Sequence, residues 1–177
     1  MSTDNTPQYT GAGIWGGGVI AGIIAGIAMG VLMHFGADLI ELLGGLAPIP
    51  GESISLGWFI HMLISVAFGL VFAGFLSRRA IRRNVTTFTD FVIAGLVFGA
   101  LIGIIAGGLV FPVAMGRAGV ATLPLPFLPI PGAVGEFVAA IIFAIGHLVY
   151  GLVLGATFAT INGVTPAGVL DRVAVLE

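Results

Sequence analysis

The chain has 177 residues, 58% of them hydrophobic and 8% charged, with a mean hydropathy of +1.18. A soluble domain carries roughly 25% charged residues, so the deficit assigns the chain to the bilayer, and a net charge of −2 gives no basic footprint for nucleic acid. Cysteine is absent, which excludes disulfides and thiolate metal sites.

Residues 1–13 read as a polar tail. The apolar stretch that follows is too long for the core of a signal peptide, so it is expected to be retained as a first span, Ile14–Gly36. Gly18, Gly22, Gly26 and Gly30 stand four apart within it. Such glycines weaken a helix in water, whereas in lipid they let helix backbones approach closely. His34, Asp38 and Glu41 follow at helical spacing and are expected to share one face if the helix persists that far. Pro48-Ile49-Pro50-Gly51 then ends an apolar outer loop, expected to lie at the membrane interface and cap the bundle.

The second span is expected over Gly57–Leu76 and carries His61. Trp15 and Trp58 sit near helix ends, where indoles prefer the headgroup level. The loop at 77–90 holds Arg78, Arg79, Arg82 and Arg83, four of the six basic residues in the chain. The positive-inside bias places this loop in the cytoplasm, and four spans then put both termini there, in the plasma membrane.

Thr89 and Asp90 read as a cap opening the third span, Phe91–Val113, whose row is Gly95, Gly99, Gly103 and Gly107. A second proline-rich outer loop ends in Pro124-Leu125-Pro126-Phe127-Leu128-Pro129-Ile130-Pro131-Gly132. The fourth span, Glu136–Ile161, contains His147, Tyr150, Gly151 and Gly155, and residues 162–177 form a tail. All four spans are expected to be helices, because an isolated strand leaves its backbone unpaired in lipid. The fold class is therefore all-α, a four-helix transmembrane bundle.

The halves read alike. Val19-Ile20-Ala21-Gly22 matches Val92-Ile93-Ala94-Gly95, and Phe68-Gly69-Leu70-Val71 matches Tyr150-Gly151-Leu152-Val153. Hairpins at 14–76 and 91–161 thus form two copies entering the membrane in one direction, a parallel repeat. In this alignment His61 falls opposite Phe143, and His147 opposite Ser65.

Intramembrane ionisable groups are functional candidates by default. Here they are His34, His61 and His147, with Asp38, Glu41 and Glu136 near the outer ends. The preferred reading is that each histidine hydrogen-bonds across helices or sits at the interface. A proton, metal-ion or solute path through His34, Asp38, His61 and His147 competes with it, as does haem b held by His34 and His61. No phosphate-binding glycine loop or serine elbow is present, so no enzyme is expected, and no cofactor. The expected contacts are the lipid bilayer and a membrane-protein partner or second copy.

Gly146-His147-Leu148-Val149-Tyr150-Gly151, continuing to Gly155, resembles the His-Leu-x-Tyr-Gly-x-x-x-Gly last helix of an uncharacterised family of small four-span prokaryotic membrane proteins. The resemblance implies the same topology and flags His147 and Tyr150; it implies no activity. The expected role is a non-enzymatic accessory or structural membrane subunit. A small transporter or channel is the first alternative and a haem carrier the second.

Overall fold

A computed structural model describes residues 12–47, 49, 53–123, 130 and 132–166. Four helices are long and apolar enough to cross a membrane. In chain order the elements are α1 (Gly13–Ala37), the short α2 (Leu39–Gly45), α3 (Ser53–Ser77), the single turn α4 (Arg79–Arg82), α5 (Phe88–Ile105), α6 (Phe111–Ala118) and α7 (Ala133–Ile161). A π-helical turn, Ala106–Val110, joins α5 to α6, so one helical run of 31 residues extends from Phe88 to Ala118.

Pro112 explains that turn. It has no N–H to offer and its ring conflicts with the carbonyl four residues back. A wider turn immediately before it absorbs the mismatch without ending the helix. The third span consequently runs past the expected Val113. At its other end the expected cap moves: the cap residue is Thr87, not Thr89. Thr87 Oγ1 accepts from the Asp90 amide at 3.2 Å, while Asp90 Oδ2 accepts from the amides of Thr87 and Thr86 at 2.8 and 3.1 Å. This reciprocal box requires its acidic member three residues into the helix, so α5 starts at Phe88.

The helix seams are built from small side chains, while many large apolar ones face outward. Ala21, Ala25, Ala73, Ala139 and Ala159 are fully buried, whereas Phe35, Phe59, Phe137 and Ile104 are each more than 60% exposed. Water would penalise that exterior; hydrocarbon does not.

The long helices pack in the order α3–α1–α7–α5, with close backbone approach along α3–α1, α1–α7 and α7–α5. Glycine makes two of these seams. A Cβ on Gly18 would stand 2.8 Å from the Gly69 carbonyl oxygen and from the Ala73 methyl, and one on Gly22 would stand 2.8 Å from the Ser65 carbonyl oxygen. On the other hairpin, a Cβ on Gly95 would collide with the Gly151 carbonyl and one on Gly99 with the His147 carbonyl. Gly151 and Gly155 return the contact against Gly95 and Phe91.

The fourth side, between α3 and α5, differs. Its backbones make no comparable approach. Phe98 of α5 instead meets Phe68, Phe72 and Phe75 of α3, at ring-centroid separations of 6.2, 5.4 and 6.1 Å.

At the end opposite the arginines, α2 folds onto the start of α3. A side chain on Gly44 would strike the Ser53 carbonyl, and one on Gly57 the Ile40 carbonyl. Leu39 and Ile40 are buried there, so part of the first outer loop does cover the bundle. Pro48, Pro50 and Gly51, most of the second proline segment (124–129 and 131), and the outer parts of both tails (1–11 and 167–177) lie outside the described residues.

Candidate functional site

Halfway between α2 and the phenylalanine side lies a cavity of about 370 Å³. α1 contributes Met29 and Met33 to its wall, α3 His61 and Ser65, α5 Ile102, and α7 Phe143, His147 and Tyr150. Leu39, Ile40 and Leu43 of α2 close it at one end. Towards the arginine end its lining ends at Met29, Phe68, Ile102 and Tyr150; beyond them rings are stacked, with Phe72 meeting Phe98 at 5.4 Å and Phe158 at 5.7 Å, and Phe158 meeting Phe91 at 5.9 Å. Ile64 of α3 and Ile105 of α5 line the cavity yet remain exposed. Its open side therefore faces laterally, through the gap between those two helices.

The glycine rows seat the site's side chains. A Cβ on Gly26 would stand 2.7 Å from Ser65 Cβ and 2.8 Å from its Oγ; one on Gly103 would stand 2.9 Å from His147 Cβ. Gly30 lies beneath Trp58 and the His61 ring, and Gly107 lies 3.0 Å (measured to its virtual Cβ) from the Phe143 ring. Ser65 and His147 thus occupy corresponding seats on the two hairpins, as do His61 and Phe143. The glycines correspond as Gly18 with Gly95 and Gly22 with Gly99. The shared Val-Ile-Ala-Gly words, which align Gly22 with Gly95, are one helical turn out of step with the packing.

Both histidines and Tyr150 are fixed by backbone carbonyls. His61 Nε2 lies 2.9 Å from the Gly26 oxygen of α1, and His147 Nδ1 lies 2.9 Å from the Phe143 oxygen one turn earlier. The Tyr150 hydroxyl donates to the Ser65 carbonyl at 2.6 Å, linking α7 to α3 across the interior. His61, Ser65, His147 and Tyr150 are all buried. Of the histidines expected to bond across helices or sit at the interface, His61 does reach another helix, while His147 bonds within its own.

His34, Asp38 and Glu41 do not share a face. Asp38 takes the left-handed conformation at φ 49° and gives its N–H to the Met33 carbonyl. That ends α1 at Ala37, and the chain restarts as α2 in a new direction. Asp38 and Glu41 are exposed, and Glu41 accepts a 3.5 Å hydrogen bond from Ser53. His34 is half-buried and its Nδ1 has no partner among the described residues. Trp58 stands between His34 and His61, with ring centroids 6.1 Å and 6.0 Å away. Trp58 is therefore an interior wedge more than a headgroup anchor, whereas Trp15 is 56% exposed. The histidine that joins His61 is His147, not His34.

Glu136 is half-buried in a separate groove of about 800 Å³ between α5–α6 and α7. No three His, Asp or Glu side chains among the described residues stand close enough to hold a metal ion. Among the described residues no arginine lines the histidine cavity, so the carboxylates of a haem would find no cationic partner from them there.

Sequence reasoning missed Met29 and Met33, which look like ordinary apolar filling, and read Trp58 as a headgroup anchor. Ser65 was within reach, because aligning the halves sets it opposite His147. Neither a family model, nor a curated protein, nor a solved structure matches this chain.

Proposed function

We propose that the protein is a non-enzymatic, multi-pass accessory membrane protein whose bundle holds a small, largely apolar molecule taken sideways from the bilayer. The observation that carries this reading is the cavity between His61 and His147, closed at one end by α2 and lined at the other by Met29, Phe68, Ile102 and Tyr150, with the phenylalanine stack beyond them and exposed Ile64 and Ile105 at its side. Its size falls within the ~300–1,000 Å³ of ordinary small-molecule pockets, which are mostly apolar with a few placed polar groups. A channel needs a continuous path, and the ring stack stands across it. Transport would require that stack to move.

A chain in nanodiscs tests the reading. Trp58 packs against the cavity wall at His61, while Trp15 belongs to the arginine end, near Gly74. In the Trp15→Phe background, bromobenzene is expected to quench Trp58 fluorescence saturably. Ala106→Phe, which fills the cavity wall, is expected to leave only the linear quenching of lipid-dissolved probe. Identical linear quenching in both proteins refutes the reading.

The two hairpins are copies of one ancestral pair, as their matching seats for Ser65 and His147 support. Arg78, Arg79, Arg82 and Arg83 face the cytoplasm of a prokaryotic cell, with both termini on that side of the plasma membrane. In this cysteine-free chain, Arg83→Cys is expected to react with an impermeant maleimide only after permeabilisation. A partner membrane protein, or a second copy, covers part of the outer surface.

A further inference from the structure

We infer that the cavity selects a molecule with a phenol-type hydroxyl, one that donates hydrogen bonds from an aromatic body. The inference rests on the cavity being a ligand site, and it follows from which protons are already committed. A carbonyl oxygen only accepts, so the neutral His61 ring carries its proton on Nε2, facing Gly26, and His147 carries its proton on Nδ1, facing Phe143. What remains is a lone pair on His61 Nδ1 and another on His147 Nε2. Tyr150 likewise directs its proton to the Ser65 carbonyl, leaving only oxygen lone pairs. Of the four polar side chains in the wall, only the Ser65 hydroxyl retains a proton to give.

The wall is therefore rich in acceptors and poor in donors. A ketone, ether or ester would find only the Ser65 hydroxyl to accept from and would leave both imidazole lone pairs unsatisfied. A hydroxyl acidic enough to donate strongly, and attached to a flat apolar ring, satisfies either imidazole. The body is specified by Phe68, Phe111 and Phe143, and by the thioethers of Met29 and Met33. Sulfur and ring edges both favour an aromatic guest. The lateral gap between α3 and α5 leaves room for an alkyl tail.

The test compares 4-propylphenol with 4-propylanisole, which differ by one methyl on the oxygen, as competitors of bromobenzene quenching in nanodiscs. The phenol is expected to bind about tenfold more tightly, the discrimination that one hydrogen bond to a buried acceptor supplies. The double variant His61→Phe/His147→Ser carries the residues found at the corresponding seats of the opposite hairpin. It is expected to erase the preference, bringing phenol and anisole to equal affinity. In the unaltered protein, ¹⁵N spectra are expected to show His61 Nδ1 or His147 Nε2 shifting with the phenol and not with the anisole, a readout independent of any variant. A 4-dodecylphenol that outcompetes the propyl probe identifies a lipid-borne ligand; the reverse order identifies one arriving free. Equal binding of phenol and anisole, both lost in Ala106→Phe, overturns the donor inference and leaves the cavity reading standing. Absence of saturable binding by either overturns both.

Discussion

The α5–α7 seam and the α3–α5 side solve the same packing problem in opposite ways. Along the seam, Gly95, Gly99, Gly151 and Gly155 bring backbone against backbone, with no side chain between. Across the other side, Phe98 and three phenylalanines of α3 keep the backbones apart. In lipid no hydrophobic force pushes helices together, so contact area and close fit decide where they meet. Removing side chains yields a rigid joint; adding rings yields a spacer with a hollow behind it. The cavity is a consequence of that spacer, and the glycine seams fix its walls.

Breaking the seam should have the largest effect. Gly151→Ala adds one methyl where the three nearest atoms are backbone atoms of Gly95 and Gly99. Neither can rotate away, so the helices must part along much of their length. Overpacking of this kind costs about 1–3 kcal/mol where side chains can yield; with backbone opposite, the upper end or beyond is expected. Reversible unfolding in mixed micelles measures it, and a loss below 1 kcal/mol would show that the seam is looser than its geometry.

Removing the spacer should cost less. Phe98 is half-buried, so Phe98→Ala is expected to lose roughly 1–2 kcal/mol, below the ~3–5 typical of a fully buried phenylalanine. Bromobenzene should then enter and leave the cavity faster, because the ring that props and guards the α3–α5 side is gone. An unchanged exchange rate in the same micelles would detach the ring from the opening.

Tyr150→Phe isolates a side-chain hydrogen bond that ties α7 to α3 across the interior. It deletes the 2.6 Å contact from α7 to the Ser65 carbonyl while preserving the ring. Interhelical hydrogen bonds in lipid average about 0.6 kcal/mol, and a loss of that order is expected by the same unfolding measurement. A loss above 2 kcal/mol would mean that Tyr150 positions the cavity wall itself.

Much of this was legible in the sequence because lipid leaves few options. The spans follow from runs of apolar residues, the small-residue seams from glycine spacing, and the Ser65–His147 correspondence from comparing halves. The packing register was not legible, for a physical reason. A row of glycines at spacing four looks the same after sliding by four, so only the partner helix decides that Gly18 corresponds to Gly95. The His34–Asp38–Glu41 face failed at a single dihedral, the left-handed φ of Asp38. Spacing arguments assume an unbroken helix, and aspartate is among the few residues that enter this region at modest cost. Trp58 was misread because an indole near a helix end suits a headgroup and an interior wedge equally.

The smallest effect is expected where glycine has no neighbour, and it sharpens the comparison by reversing its sign. Gly116 lies in α6, exposed, and a Cβ there would meet nothing within 4 Å. Gly116→Ala therefore adds the same methyl as Gly151→Ala with no backbone to strike. What remains is intrinsic preference, since alanine suits a helix interior better than glycine by up to about 1 kcal/mol in water. The expected outcome is no loss and a gain of a few tenths of a kcal/mol, read from the same micelle unfolding curves. A loss comparable to that of Gly151→Ala would place another surface against α6, a second copy or a partner helix packed on the groove beside Glu136. Running the variant at several protein-to-detergent ratios separates these cases, because a penalty from self-association weakens on dilution and one from within the chain does not.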